Sequence, residues 1–146
     1  MKVSDVKNKI VYVPMAADLI HPGHINIIRI ASSLGSVTVG LFTDEAIRSY
    51  KSPPYMNFDM RKIVVENIKG VDNVIPQYTK DYEENLRLLK PDYMVHGTDW
   101  RKGPLSSVRE KAIAILAEWG GKIVEPEYTQ GISSSELKAK LYEGNK

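Results

Sequence analysis

Five short strand-patterned runs alternate along this chain with stretches of helical periodicity, and no other feature limits its fold so strongly. The runs are residues 9–14, 36–42, 73–76, 92–97 and 122–125. The first is β-branched and continuous rather than alternating, as strands buried on both faces are. After it, Ile25, Ile28, Ala31 and Leu34 recur at helical spacing until Gly35 stops the pattern. Thr43-Asp44-Glu45 supplies a cap and an acidic first turn for a short helix. Met60, Ile63, Val64 and Ile68 predict a helix ending at Gly70, and Leu86 and Leu89 mark the inward side of a helix over 82–90. Leu105, Val108, Ala112, Ile115, Leu116 and Trp119 mark a longer helix closed by Gly120-Gly121, and a last helix closes the chain through Leu141. Strands that alternate with helices build a parallel sheet covered on both faces.

With right-handed crossovers this is an α/β, Rossmann-like doubly wound fold: a parallel five-stranded sheet with helices on both faces. The 146 residues fit a single domain, 1–146, with 1–8 and 143–146 as loose tails. In such sheets ligands sit beyond the carboxyl ends of the strands. Residues 18–24, Asp44, 97–100 and 128–135 all follow strands, so they are expected at one rim.

At that rim, His21-Pro22-Gly23-His24 opens the first helix. Helix starts expose unpaired N–H groups and the positive end of the dipole, which suits anions. Pro22 fits the first turn, Gly23 leaves the backbone open to a close ligand, and His21 and His24 share one side of that turn. Both histidines are therefore expected to face a nucleoside triphosphate. A metal reading with Asp18 as third ligand is a minor alternative. Ser133 and Glu136 form a capping box by spacing, which explains both without function. Ser134 and Ser135 add N–H groups for a second polyphosphate cradle. Residues 49–57, broken by Pro53 and Pro54, are a loop carrying Lys51, which is either a solvated surface lysine or an ammonium that swings toward phosphates. Arg61 is either a similar phosphate contact or part of a solvated helix face. Asp99-Trp100, after a strand and Gly97, suits stacking and hydrogen bonding to a base, with rim packing of Trp100 as the equal alternative.

A formal charge of +2 is too mild to point to nucleic acid or a membrane surface. No run of apolar residues is long enough to span a bilayer. The absence of cysteine excludes disulfides and thiolate metal sites and agrees with a cytoplasmic location.

Residues 18–24, Asp-Leu-Ile-His-Pro-Gly-His, resemble the His-x-Gly-His signature of nucleotidyltransferases, and Gly131-Ile132-Ser133-Ser134-Ser135 resembles their second signature. Asp72-Asn-Val-Ile-Pro76 and Gly97-Thr-Asp-Trp100 resemble the glycerol-3-phosphate cytidylyltransferase subgroup. The chain departs from that subgroup at Met15-Ala16-Ala17, Lys69, Glu83, Glu84 and Tyr128. Through Ala17-Asp-Leu-Ile-His-Pro-Gly-His24 and the Tyr-Thr-x-Gly-Ile-Ser-Ser run over 128–134 it is similar to cytidylyltransferase domains associated with phosphoenolpyruvate phosphomutase in phosphonate pathways.

The resemblance implies a cytidylyltransferase that moves CMP from CTP to a small phosphate or phosphonate acceptor. The acceptor would be like 2-hydroxyethylphosphonate, 2-aminoethylphosphonate or glycerol phosphate. It places Met15, Ala16, Ala17, Asp18 and Gly23 against the nucleotide, with His21, His24 and Lys51 as the catalytic set. It adds Arg61, Gly97, Asp99, Trp100, Tyr128 and 131–135 as nucleotide-binding, with Asp99 and Trp100 on cytosine. Ser133–Ser135 would grip the β- and γ-phosphates with Mg²⁺, which the triphosphate carries; no protein metal site is expected. A homodimer is implied, with neither nucleic acid nor membrane as partner. The alternatives are an ATP-dependent adenylyltransferase of the same fold and a non-catalytic nucleotide-binding module.

Overall fold

The computed structural model describes residues 8–127, 137 and 139–141. In chain order these give β1 (Ile10–Met15), α1 (Pro22–Leu34), β2 (Ser36–Phe42), α2 (Asp44–Arg48) and α3 (Phe58–Glu66). Then come β3 (Asn73–Gln77), α4 (Glu83–Leu89), β4 (Tyr93–Val95), a 3-10 turn (Thr98–Trp100), α5 (Ser106–Ala117) and β5 (Lys122–Val124). All five strands are parallel in the order β3-β2-β1-β4-β5, with Val13 opposite Val39 and Tyr12 opposite Met94. This is the Rossmann-like α/β sheet that the alternation predicts.

β1 is central, and its residues part by the period of two. Val11, Val13 and Met15 join Ile28 and Ala31 of α1 and Val65 of α3 on one face. Tyr12 joins Leu86 of α4 and Ala112, Ile115 and Leu116 of α5 on the other. The chain winds outward from β1 through β2 to β3, then returns to β4 and β5 on the opposite side. The crevice at that reversal lies beyond the ends of β1 and β4.

Two local differences from the periodicity have clear causes. α3 starts at Phe58 because Asn57 caps it, its side chain accepting from the Met60 N–H at 3.0 Å; it ends at Glu66, with Asn67 as the terminal cap. Its core-facing residues are Arg61 and Val65, whereas Met60, Ile63 and Val64 are 53, 64 and 39% exposed. The apolar stripe of this helix thus points to solvent while an arginine points inward. β4 is shorter than expected, although the His96 N–H still reaches the Val124 carbonyl at 3.1 Å. The 1–7 and 143–146 tails, Tyr128 and residues 131–136 lie outside the described residues. Among the described residues no helix is long and apolar enough to cross a membrane.

Candidate active site

β1 delivers the chain to the rim through Ala16 and Ala17. Ala17 is buried and left-handed at φ 57°, a conformation that costs an L-residue about 1–2 kcal/mol. The turn is held by Arg61, which is fully buried. Its Nη1 donates to the carbonyls of Ala16 and Phe42, both at 2.7 Å, and its Nε to Met56 O at 3.0 Å. Its Nη2 pairs with Asp44 at 2.6 Å. Arg61 therefore lies on no solvated face: its guanidinium ties the ends of β1 and β2 and the 49–57 loop into one frame, and it does not line the cleft below.

Asp18 is 2% exposed, and its carboxylate accepts from the N–H groups of Tyr55 (2.9 and 3.0 Å) and Met56 (3.1 Å). This overturns its reading as a metal ligand, because its oxygens clamp the loop. Among the described residues no three His, Asp or Glu side chains come together as a metal site.

His21 is the N-cap of α1. Its Nδ1 accepts from the Gly23 N–H at 3.0 Å, and the Nδ1 of His24 accepts from the His21 N–H at 3.2 Å. The two rings sit 4.2 Å apart. An Nδ1 that accepts must be unprotonated, so each ring carries its proton on Nε2. The N–H of His24 bonds back to His21 O at 3.0 Å. The helix start thus offers an anion imidazole N–H donors in place of the backbone donors at Gly23 and His24. Burial, followed by the neighbouring His21 charge, pushes His24 down to about 4, and burial lowers His21 as well. Both are neutral donors at pH 7.

The ends of β1, β2 and β4 enclose a cleft of about 250 Å³. It is lined by Met15, Ala16, Ala17, Asp18, His24 and Lys51 together with Tyr82, Gly97 and Asp99. The structure thus brings together candidates from the first helix, the 49–57 loop and the end of β4. His21 is not among the lining residues and packs behind His24, its ring 4.2 Å away, and the Gly23 N–H is occupied in the cap. Lys51 Nζ lies 5.4 Å from the Tyr50 ring centroid.

Trp100 is 1% exposed, so it does not stack on a base. Its indole N–H donates to Glu125 Oε2 at 2.7 Å, and Glu125 also receives Arg109 at 3.0 Å and Arg101 at 3.2 Å. Arg109 foremost holds the Glu125 carboxyl down at about 2. This cluster fixes the Gly97–Trp100 segment against the end of β5. Asp99 remains half exposed at the cleft.

Sequence reasoning missed His96, which lines the same cleft and stacks on Trp100 at 3.7 Å. Its signal was present: the chain has three histidines, and the third also ends a strand of the run that supplies Gly97.

Comparison with known proteins adds the following. Residues 16–140 match the family model described as Cytidylyltransferase-like. The chain is 31% identical over 127 residues to the glycerol-3-phosphate cytidylyltransferase of Staphylococcus aureus, covering 86% of this chain and 89% of that one. It is 37% identical over 134 residues to the ethanolamine-phosphate cytidylyltransferase of Dictyostelium discoideum, covering 90% of this chain but 36% of that protein. A similar solved fold is the lipopolysaccharide core biosynthesis protein of Thermoplasma volcanium, at TM-score 0.67 and 20% identity, covering 83% of this chain and 96% of that one.

Proposed function

The chain belongs to the cytidylyltransferase-like family, and from that premise we propose that it transfers CMP from CTP to a small phosphate- or phosphonate-bearing acceptor. An acceptor oxygen attacks the α-phosphorus in line. The bond from that phosphorus to the oxygen bridging the β-phosphate breaks, and pyrophosphate leaves with the electron pair. The acceptor is already anionic, so no base is required. The chain's task is to align two anions and spread the charge that builds on the α-phosphate.

The observation that carries this reading is the pair of imidazoles locked as Nε2–H donors at the start of α1, with His24 lining the same cleft as Lys51. His24 donates to the α-phosphate oxygens, His21 to the triphosphate, and Lys51 neutralises the entering acceptor. Ser133–Ser135 serve the β- and γ-phosphates in this proposal. Mg²⁺ would be carried by the triphosphate, whose oxygens and water would hold it without a protein cage, and it would supply screening of the phosphate charge. CTP is a cytoplasmic pool, which is where this reading puts the protein.

The test is pyrophosphate release with CTP against ATP, across phosphonates and phosphoalcohols. CTP preference is expected, and His24→Ala is expected to lower turnover by on the order of a hundredfold. A clear preference for ATP, or a wild-type rate in His24→Ala, refutes the assignment. A homodimer belongs to the same proposal: the exposed Met60, Ile63 and Val64 stripe of α3 is an apolar face for a second copy. A monomer mass by light scattering at micromolar concentration counts against it.

A further inference from the structure

The histidines at this rim differ in hydrogen-bonding sense. At the start of α1 both imidazoles hold their protons on Nε2 and donate, and His24 lines the cleft. His96, after β4, is the opposite tautomer. Its Nδ1 lies 2.8 Å from the Gly97 carbonyl oxygen, which only accepts, so Nδ1 carries the proton. Asp99 Oδ1, 3.8 Å from the same nitrogen, favours the proton there as well. Nε2 is left with a lone pair.

The ring is held firmly. It lies parallel to Trp100 at 3.7 Å and 11°, and it meets the edge of Tyr82 at 6.1 Å. Trp100 is in turn tied to Glu125. Among the described residues no buried side-chain nitrogen or oxygen lacks a partner, and none of the hydrogen bonds of His96 uses Nε2. That atom is therefore accessible to solvent, on a residue that lines the cleft. It is a rigid, pre-oriented acceptor on a wall where a phosphate, which has no hydrogen to give, gains nothing.

We propose that His96 Nε2 receives an N–H of a primary ammonium on the acceptor, making this chain selective for aminoalkyl phosphates or phosphonates. The proposal rests on the cytidylyltransferase reading above. A zwitterionic acceptor finds a partner for each charge among the groups lining the cleft: its phosphoryl oxygens go to Lys51, and its ammonium goes to the lone pair. The half-exposed Asp99 carboxylate and the electron-rich ring of Tyr82 line the same cleft as His96, and both favour a cation over a neutral hydroxyl there. A nucleobase amine is neutral and draws less from that carboxylate. His96 acts here as a specificity-determining residue; the bond-making step does not pass through it.

The experiment compares 2-aminoethylphosphonate with 2-hydroxyethylphosphonate, with CTP held saturating, in wild type, His96→Phe and His96→Gln. Phe keeps the stacking on Trp100 and deletes the lone pair, whereas Gln retains an accepting oxygen. The expected result is a wild-type kcat/KM ratio favouring the amine by tenfold or more. In His96→Phe that ratio falls about tenfold, mostly through KM, and His96→Gln restores part of it. Equal use of both acceptors by wild type overturns the proposal. So does an unchanged ratio in His96→Phe, or a loss that follows CTP against UTP instead, which moves the contact to the base. Calorimetric binding of the two phosphonates to the same proteins separates the two readings. Amine-dependent binding that His96→Phe abolishes, without pyrophosphate release by wild type, sustains this inference and sinks the reaction; binding without amine dependence sinks the inference. Nitrogen-15 NMR of the imidazoles provides a further check: His96 is expected to be protonated on Nδ1 and His21 and His24 on Nε2, and any other pattern removes the basis of the proposal.

Discussion

Replacing Arg61 by methionine tests the frame on which the whole site hangs. The side chain keeps much of its length and loses four contacts of 2.6–3.0 Å, to Met56 O, Ala16 O, Phe42 O and Asp44. Three carbonyls then lose their charged donor, at about 1–3 kcal/mol for each that stays buried and unpaired. Relief from burying a guanidinium offsets part of that. Removing one member of a buried charged network costs about 3–5 kcal/mol in total, and we expect that range. A domain of this kind has about 5–15 kcal/mol in hand. With a urea slope of about 2 kcal/mol per molar, the midpoint falls by roughly 2 M. Asp44→Asn is the control: Asp44 is 27% exposed, so losing its charge costs about 1 kcal/mol or less. Circular dichroism during urea titration reads both variants, and kcat/KM reads whether the rim survives. A loss below about 1 kcal/mol for Arg61→Met, or equal losses for the two variants, refutes the claim that the carbonyls are what Arg61 holds.

Three further outcomes follow from the same geometry. Asp18→Ala frees the N–H groups of Tyr55 and Met56, so native-state trypsin is expected to cut after Lys51 at least several-fold faster; an unchanged rate means the clamp does not restrain the loop. His24 has its folded pKa lowered to about 4, so between there and the unfolded value near 6.5 the unfolded chain binds the extra proton; stability is full above that window and falls with pH through it, by up to about 3 kcal/mol from this residue. Urea midpoints across pH 7 to 4 are expected to fall less steeply in His24→Asn, and parallel curves contradict the assignment. Glu125→Leu strips Trp100, Arg101 and Arg109 of their shared acceptor, with an expected loss of about 2–3 kcal/mol and a shift in indole fluorescence; a stable variant with unaltered fluorescence shows that the 3-10 turn is held by other means.

The sequence by itself determined the strand–helix alternation, the Thr43 cap with its acidic first turn, and the rim that carries the His-x-Gly-His turn. Those signals work over two to four residues, through periodicity and capping, and they survive whatever the rest of the chain does. Tertiary structure decided what the polar side chains at the rim are for. Arg61 reaches across 45 residues to Ala16 and Asp18 across 37 to Tyr55, while Trp100 meets Glu125 25 residues away. No periodicity encodes such pairings, because they exist only once the order β3-β2-β1-β4-β5 has brought the strand ends side by side. The same holds for the histidines. Three imidazoles are identical in sequence; a backbone N–H at Nδ1 makes two of them donors, and a carbonyl at Nδ1 makes the third an acceptor.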